Sequence, residues 1–257
     1  MTSLGIIPAR YAASRFEGKV LAKIGNKPMI QHVWERAKKA HSLDDLIVAA
    51  DDDRIIKVVE EFGGKAVFTS KSHPSGTDRL REIANPLDVD IVVNIQADEP
   101  LLNHSMIDSL VDTLRDDRDI VMASLMKKID SIEEISNPNL VKVVVDKNNF
   151  ALYFSRSPIP FIRDNGEAPA EQADSVSPNK AHQFYKHIGL YAYTKDFLFT
   201  FANLPPSSLE KYEKLEQLRA LENGYRIKMV ETQYDTIGVD TPEDLVRARA
   251  TLYKNRG

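Results

Sequence analysis

Short, strongly apolar runs alternate with stretches of helical periodicity through the first half of the chain. That alternation restricts the fold to the α/β class. Leu4–Pro8, Leu46–Ala50, Ala66–Thr69, Asp90–Ile95 and Ile120–Leu125 read as strands. One helix opens at Pro28, a residue suited to a first turn, and runs to about Ala40 with Ile30, Val33, Trp34 and Ala37 on one face. A second opens on Asp51-Asp52-Asp53, where carboxylates meet the positive end of the helix dipole, and closes near Gly63-Gly64. Others cover Asp78–Ile83, behind the loop Ser72–Thr77, and Asn103–Leu114. Strands joined in this way form a parallel or mixed sheet with helices on its faces.

The second half is patterned differently. Leu140–Val145 and Phe150–Ser155 flank Asp146-Lys147-Asn148-Asn149 and predict a hairpin. Pro158 to Ala181 reads as a long polar loop, of a length that is functional or partly disordered. His187–Tyr193 is a strand, and Ser208 opens a long helix to about Asn223 with Gly224 as its cap. Arg226–Thr232 and Thr236–Val239 are extended, and Thr241-Pro242-Glu243-Asp244 starts the last helix. The chain is therefore expected to be one domain, with a core of about 1–130 and 225–257 and a smaller, mostly antiparallel lobe at 131–224.

At 257 residues with a net charge of −4, the chain lacks the basic balance of a general nucleic-acid binder. It has no cysteine, so disulfides, thiolate metal sites and cysteine nucleophiles are excluded, which suits a reducing cytoplasm. Arg10 and Arg15 interrupt what would be the apolar part of a signal peptide, and no run approaches the ~18 apolar residues of a membrane span. A soluble, cytoplasmic protein is expected. Walker, dinucleotide, nucleophile-elbow and HExxH motifs do not occur.

The first strand delivers the loop Ala9–Lys19 to the carboxyl edge of the sheet, where open α/β folds bind ligands. Arg10, Arg15 and Lys19 on that loop suit a polyphosphate, or else decorate a solvated surface. Asp98, just past the apolar run 90–95, is placed to hold Mg2+; alternatively it bonds the amides of a turn that Pro100 closes. Asp240 reads as a second carboxylate at a strand end, left free because Thr241 can cap the helix alone. Ser75-Gly76-Thr77-Asp78-Arg79 is either a reader of a base edge or phosphate, or a plain N-capped helix start. His187 and Tyr191 share one face of their strand, and a histidine there is a structural hydrogen-bonder or a site residue. Glu213, Glu216 and Gln217 share a helical face that is ordinarily solvated.

Taken in order, these segments resemble the 3-deoxy-D-manno-octulosonate (Kdo) cytidylyltransferases from end to end. The resemblance is carried by Ile7-Pro8-Ala9-Arg10-Tyr11, Gly18-Lys19, Lys27–Val33, Ser75–Arg79, Gln96-Ala97-Asp98-Glu99-Pro100 and Val141–Val144. It continues through Ala151–Pro160, Lys186–Gly189, Leu215–Gly224 and Gly238–Asp244. It implies a glycosyltransferase-A-like nucleotidyltransferase of mixed, mostly parallel sheet, with a smaller antiparallel lobe for sugar binding and dimerisation. It further implies a cytoplasmic homodimer that joins CTP to Kdo with Mg2+, giving CMP-Kdo and pyrophosphate for lipopolysaccharide synthesis.

By position, the resemblance assigns Arg10, Arg15 and Lys19 to the triphosphate, and Asp98 and Asp240 to magnesium. Pro8, Ala9, Ser75, Arg79 and Gln96 fall on the nucleotide side, with Gln96 close to the sugar. Arg156, His187, Tyr191, Glu216 and Gln217 fall on the sugar, with Arg156 or His187 meeting its carboxylate. The chain departs from the family at Ala97, where Gly is common, at Ala50 for Thr, and at Phe16-Glu17 for Leu-Pro. Glu17 brings a negative charge to the phosphate loop. An amino-substituted Kdo analogue, or another sugar of a CMP-sugar synthetase, is the alternative acceptor. A catalytically silent nucleotide-binding protein is the alternative to an enzyme.

Overall fold

The apolar runs of the first half all form strands; the central ones are buried on both faces, while Ala66–Phe68 is a short, exposed edge. The computed structural model describes residues 1–12, 16–73, 75–162 and 184–254. In chain order come β1 (Ser3–Ala9), a 3-10 turn (Lys19–Leu21), β2 (Lys23–Ile24), β3 (Lys27–Pro28), α1 (Met29–Ala37), β4 (Asp45–Ala50) and α2 (Asp53–Glu61). Next are β5 (Ala66–Phe68), α3 (Gly76–Ala84), β6 (Ile91–Asn94), α4 (His104–Asp116), β7 (Met122–Lys128), α5 (Ile132–Ser136), β8 (Lys142–Val145) and β9 (Ala151–Ser155). The chain continues with β10 (Tyr185–Thr194), α6 (Lys195–Asn203), α7 (Ser208–Glu213), α8 (Leu218–Glu222), β11 (Lys228–Glu231) and α9 (Pro242–Lys254).

Two compact units form. The first comprises Met1–Asp117, Leu190–Ala202 and Tyr234–Gly257. Its strands lie in the order β10-β6-β1-β4-β5. β1 is parallel to β4 on one side and to β6 on the other, while β10 runs antiparallel to β6. From β1 the chain winds outward through β4 to β5, then returns to the opposite flank of β1 as β6. This reversal opens a crevice beyond the carboxyl ends of β1 and β6. Arg10 follows the first of these strands and Gln96–Asp98 the second. The last helix returns to the same unit, burying Leu245, Ala248 and Leu252 with Ile24, Met29 and Val239.

The second unit comprises Arg118–Gly189 and Asn203–Gln233. Here β11 is parallel to β7, and β8 and β9 form the expected hairpin, with β8 antiparallel to the start of β10. The hairpin turn closes on Asp146, whose Oδ1 accepts from Asn148 N and Phe150 N at 2.8 Å. The division differs from the expected one: β7 and β11 fall in the second unit, and α6 with the end of β10 in the first. Of the expected loop Pro158–Ala181, residues 163–181 lie outside the described residues.

Two local expectations fail. The single helix 208–223 is two short helices, because Lys214 takes up φ 55° and ψ 47° and turns the chain after α7. No Gly or Pro in the sequence marks that break. Residues 236–239 form no strand, so Asp240 does not stand at a strand end. It is carried instead by a single backbone bond, Val239 N to Asp98 O at 2.9 Å.

Lys214→Gly should stabilise the protein by up to about 1 kcal/mol, since glycine adopts the left-handed conformation without the side-chain penalty. In a continuous helix the same change costs about 1 kcal/mol, so urea unfolding of the variant distinguishes the two backbones.

Candidate active site

The crevice at the ends of β1 and β6 holds a cavity of about 330 Å³. Pro8, Arg10, Phe16 and Lys19 line one part of it, and Gln96, Ala97, Asp98 and Asp240 line another. At its centre Lys19 Nζ donates to Asp98 Oδ2 at 2.5 Å and to Asp240 Oδ1 at 2.8 Å. Burial acts to lower the Lys19 pKa, but attraction to Asp98 and Asp240 outweighs it and holds the ammonium above its ordinary value. Asp244 and Thr241 cap α9 between them, so the helix start does not draw on the Asp240 carboxylate. Asp244 Oδ2 accepts from Asp240 N and Thr241 N, and Thr241 Oγ1 accepts from Asp244 N.

Two carboxylates aimed at one cation form a hard-oxygen donor pair. Mg2+ takes one or two carboxylates and completes its shell with phosphate oxygens and water. The described residues hold no group of three or more metal-ligating side chains, so the pair fits that pattern rather than a closed protein cage. Beside Asp98, burial and the Asp98 charge push the Glu99 carboxyl up to about 8, against a hydrogen bond from Thr236. Glu99 is thus a mostly protonated neighbour at neutral pH.

The phosphate loop is anchored at both ends. Tyr11 N donates to Asp51 Oδ1 at 3.0 Å, and Gly18 N to Tyr11 O at 2.8 Å. Gly18 has φ +65°, and a Cβ there would meet the Tyr11 ring at 3.2 Å, so glycine is the residue this return requires. Arg10 reaches His73 O at 3.1 Å from the cavity wall. Arg15 lies outside the described residues.

Arg79 is fully buried, bonding Thr69 Oγ1 and pairing with Asp51 Oδ2 at 3.2 Å. It therefore acts through Asp51 on the loop and does not line the cavity. Ser75 Oγ caps α3 by accepting from Asp78 N at 3.2 Å, and of this motif Gly76 reaches the cavity. Ala9 is likewise enclosed, paired with Ala50 in the sheet, so only its backbone is near. Among the departures from the family, Ala97 fits against the cavity and Phe16 packs on the α9 cluster. Ala50 is buried, with its carbonyl bonded by Thr69. Glu17 is exposed.

Four of the residues assigned to the sugar lie in the second unit, and Tyr191 in the first. Arg156 Nε donates to Glu213 O at 2.7 Å and Nη1 to Pro138 O at 3.0 Å. His187 Nε2 meets Ser124 Oγ at 2.9 Å, and its ring stands edge-on to Phe154. Burial lowers the His187 imidazole to about 3, so it is neutral at physiological pH. Gln217 is 5% exposed, with a buried amide nitrogen that lacks a hydrogen-bond partner among the described residues. Such a donor is costly unless a ligand oxygen meets it. Glu216 lies 3.5 Å from Arg219. On its own strand Tyr191 stacks on Tyr193 and pairs with Asn94.

A sheet with its crevice at the β1/β6 switch point, lined by a cationic loop and two converging carboxylates, defines a nucleotidyltransferase. The family model for cytidylyltransferases matches residues 4–228. The chain is 51% identical to the 3-deoxy-manno-octulosonate cytidylyltransferase of Geotalea daltonii over 100% of both chains. It is 55% identical to that of Syntrophobacter fumaroxidans, over 95% of this chain and 94% of the relative. A solved CMP:2-keto-3-deoxy-manno-octonic acid synthetase complexed with CTP superposes with a TM-score of 0.89 at 41% identity, covering 99% and 100% of the two chains. A 4-diphosphocytidyl-2C-methyl-D-erythritol synthase from Anaerococcus prevotii shares the fold alone, with a TM-score of 0.59 at 17% identity over 98% of each chain. This chain belongs to the 3-deoxy-manno-octulosonate cytidylyltransferase family.

The half-buried, neutral His187 makes stability depend on pH. Its folded pKa lies below the unfolded value near 6.5, so its contribution is complete above that value and falls as pH drops toward 3. Between pH 7 and pH 5 the loss is at most about 2 kcal/mol. His187→Gln should remove that part of the decline in urea unfolding; equal declines in both proteins contradict a half-buried, neutral imidazole.

Proposed function

We propose that this chain transfers a cytidylyl group from CTP to the anomeric hydroxyl of Kdo, releasing pyrophosphate. The observation that carries this reading is the convergence of Asp98 and Asp240 on Lys19, in one cavity with Arg10. The hydroxyl oxygen forms a bond to the α-phosphorus, the bond to the bridging oxygen of the β-phosphate breaks in line, and the hydroxyl proton is lost. Positioning and charge neutralisation supply most of the catalysis.

Asp98 and Asp240 hold Mg2+ in this reading; when bound, the ion neutralises phosphate charge and favours the ionised sugar hydroxyl. Lys19 ends the phosphate loop with its ammonium on both carboxylates, so that ammonium can pass from the aspartates to the leaving pyrophosphate. Arg10 and Arg15 grip the β- and γ-phosphates. Pro8, Gly76 and Gln96 shape the nucleotide side, while Ser75, Arg79 and Asp51 hold the loops that present it.

For the sugar carboxylate, Arg156 is favoured over His187. Its guanidinium is a fixed cation with one terminal nitrogen left unbonded among the described residues, whereas His187 is neutral. Gln217, Glu216, His187 and Tyr191 then serve the hydroxyls. A homodimer in the cytoplasm, supplying lipopolysaccharide synthesis, completes the reading. Its support is the family, together with the exposed apolar side chains of Leu152, Phe161 and Tyr212 in the second unit. No helix among the described residues is long and apolar enough to cross a membrane.

The test is pyrophosphate release from CTP and Mg2+ with Kdo, its 8-amino analogue or N-acetylneuraminate. Release with Kdo is expected. Preference for the amino sugar reassigns the acceptor, and no release with any sugar overturns the enzyme reading.

A further inference from the structure

We infer that Glu213 is a positioning residue that sets Arg156 and the Glu216-Gln217 turn in a single geometry for sugar binding. The inference rests on the Kdo reading above and concerns a residue outside the set assigned to the sugar. Glu213 ends α7 and is half-buried. One carboxylate oxygen accepts from Ser155 Oγ at 2.6 Å and the other from Arg156 N at 2.9 Å. Its carbonyl accepts from Arg156 Nε at 2.7 Å. Three bonds thus join this residue to the end of β9, and one of them fixes the plane of the guanidinium.

The other side of Glu213 is equally constrained. Lys214 follows it in the left-handed conformation and turns the chain so that Glu216 and Gln217 stand just before α8. Arg219 locks the two helices together through Glu210, at 2.8 Å from Nε and 2.5 Å from Nη2. The loop facing Arg156 is fixed as well: Pro138 O takes Arg156 Nη1, and buried Lys142 Nζ donates to Asn137 O and Leu140 O. Glu213 is the side chain that joins these two braced parts. Without its carboxylate Arg156 keeps the two carbonyl contacts of its guanidinium, but its backbone and Ser155 lose the acceptors that hold the end of β9 against α7.

Glutamine is a discriminating replacement because it keeps size and one acceptor. Its amide oxygen can serve Arg156 N, which leaves the NH2 facing Ser155 Oγ. That hydroxyl already accepts from Ser157 N at 3.0 Å and needs an acceptor for its own proton. The native bond, donated by Ser155 Oγ, is therefore lost with little change in volume; the amide can only donate to the second lone pair of that hydroxyl, whose own proton must then find another acceptor.

The experiment is steady-state kinetics of Glu213→Gln and Ser155→Ala with CTP and Kdo varied separately, alongside thermal melting. We expect the KM for Kdo to rise about ten-fold in Glu213→Gln and about three-fold in Ser155→Ala, with the KM for CTP unchanged. An unchanged KM for Kdo, or a parallel rise for CTP, overturns the positioning role. A lowered melting temperature with normal KM values assigns Glu213 to stability alone and overturns it too. If the unaltered protein releases no pyrophosphate with Kdo, the functional reading fails first and takes this inference with it.

Discussion

The ion-paired group Asp98–Lys19–Asp240 is the constraint on which the rest of the site depends. Its members come from three separate chain segments: the loop after β1, the turn after β6 and the segment before α9. Two carboxylates this close repel each other, and a cation between them is what makes the arrangement stable. Lys19 supplies that cation, only partly desolvated, since the Asp240 side chain is 48% exposed. The same geometry suits a divalent ion once phosphate is present, which gives the lysine two tasks on one short path. The C-terminal segment is tied to the same place by the Val239–Asp98 backbone bond, by the Thr236–Glu99 hydrogen bond and by the apolar packing of α9.

A second layer holds the loop after β1 from outside the cavity. Asp51, at the end of β4, receives Tyr11 N on one oxygen and Arg79 on the other, and Arg79 is bound in turn to Thr69. A buried arginine with these partners is a strut. The same logic recurs in the second unit, where Arg156 is held by carbonyls on one edge and keeps its other edge available. In the first unit a side-chain ion pair holds a loop, and in the second two backbone carbonyls hold a guanidinium.

Much of this could be read from the sequence. β1, β4 and β6 were legible because buried parallel strands are continuous apolar runs, and the Asp146 hairpin because its turn residues are distinctive. That Arg10, Lys19, Asp98 and Asp240 would come together at the crevice was legible from the order of the elements and from the family motifs. What escaped was set by long-range contacts or by backbone choices without a residue signature. Lys214 breaks a helix with no glycine to announce it. Arg79 looks like a ligand in its motif, and only Asp51 and Thr69, distant in sequence, reveal it as a strut. Glu213 sits on what reads as a solvated helical face, yet its partners lie on β9 and the residue after it. The two units interleave along the chain, so no change of composition marks their boundaries.

The most direct measurement of the central claim is turnover of Asp98→Asn and Asp240→Asn, with folding checked by circular dichroism and thermal melting. The account predicts that each variant folds and that pyrophosphate release falls by about 10²-fold or more, because each loses half of the charge that holds the metal. Turnover near that of the unaltered protein in either folded variant would contradict it.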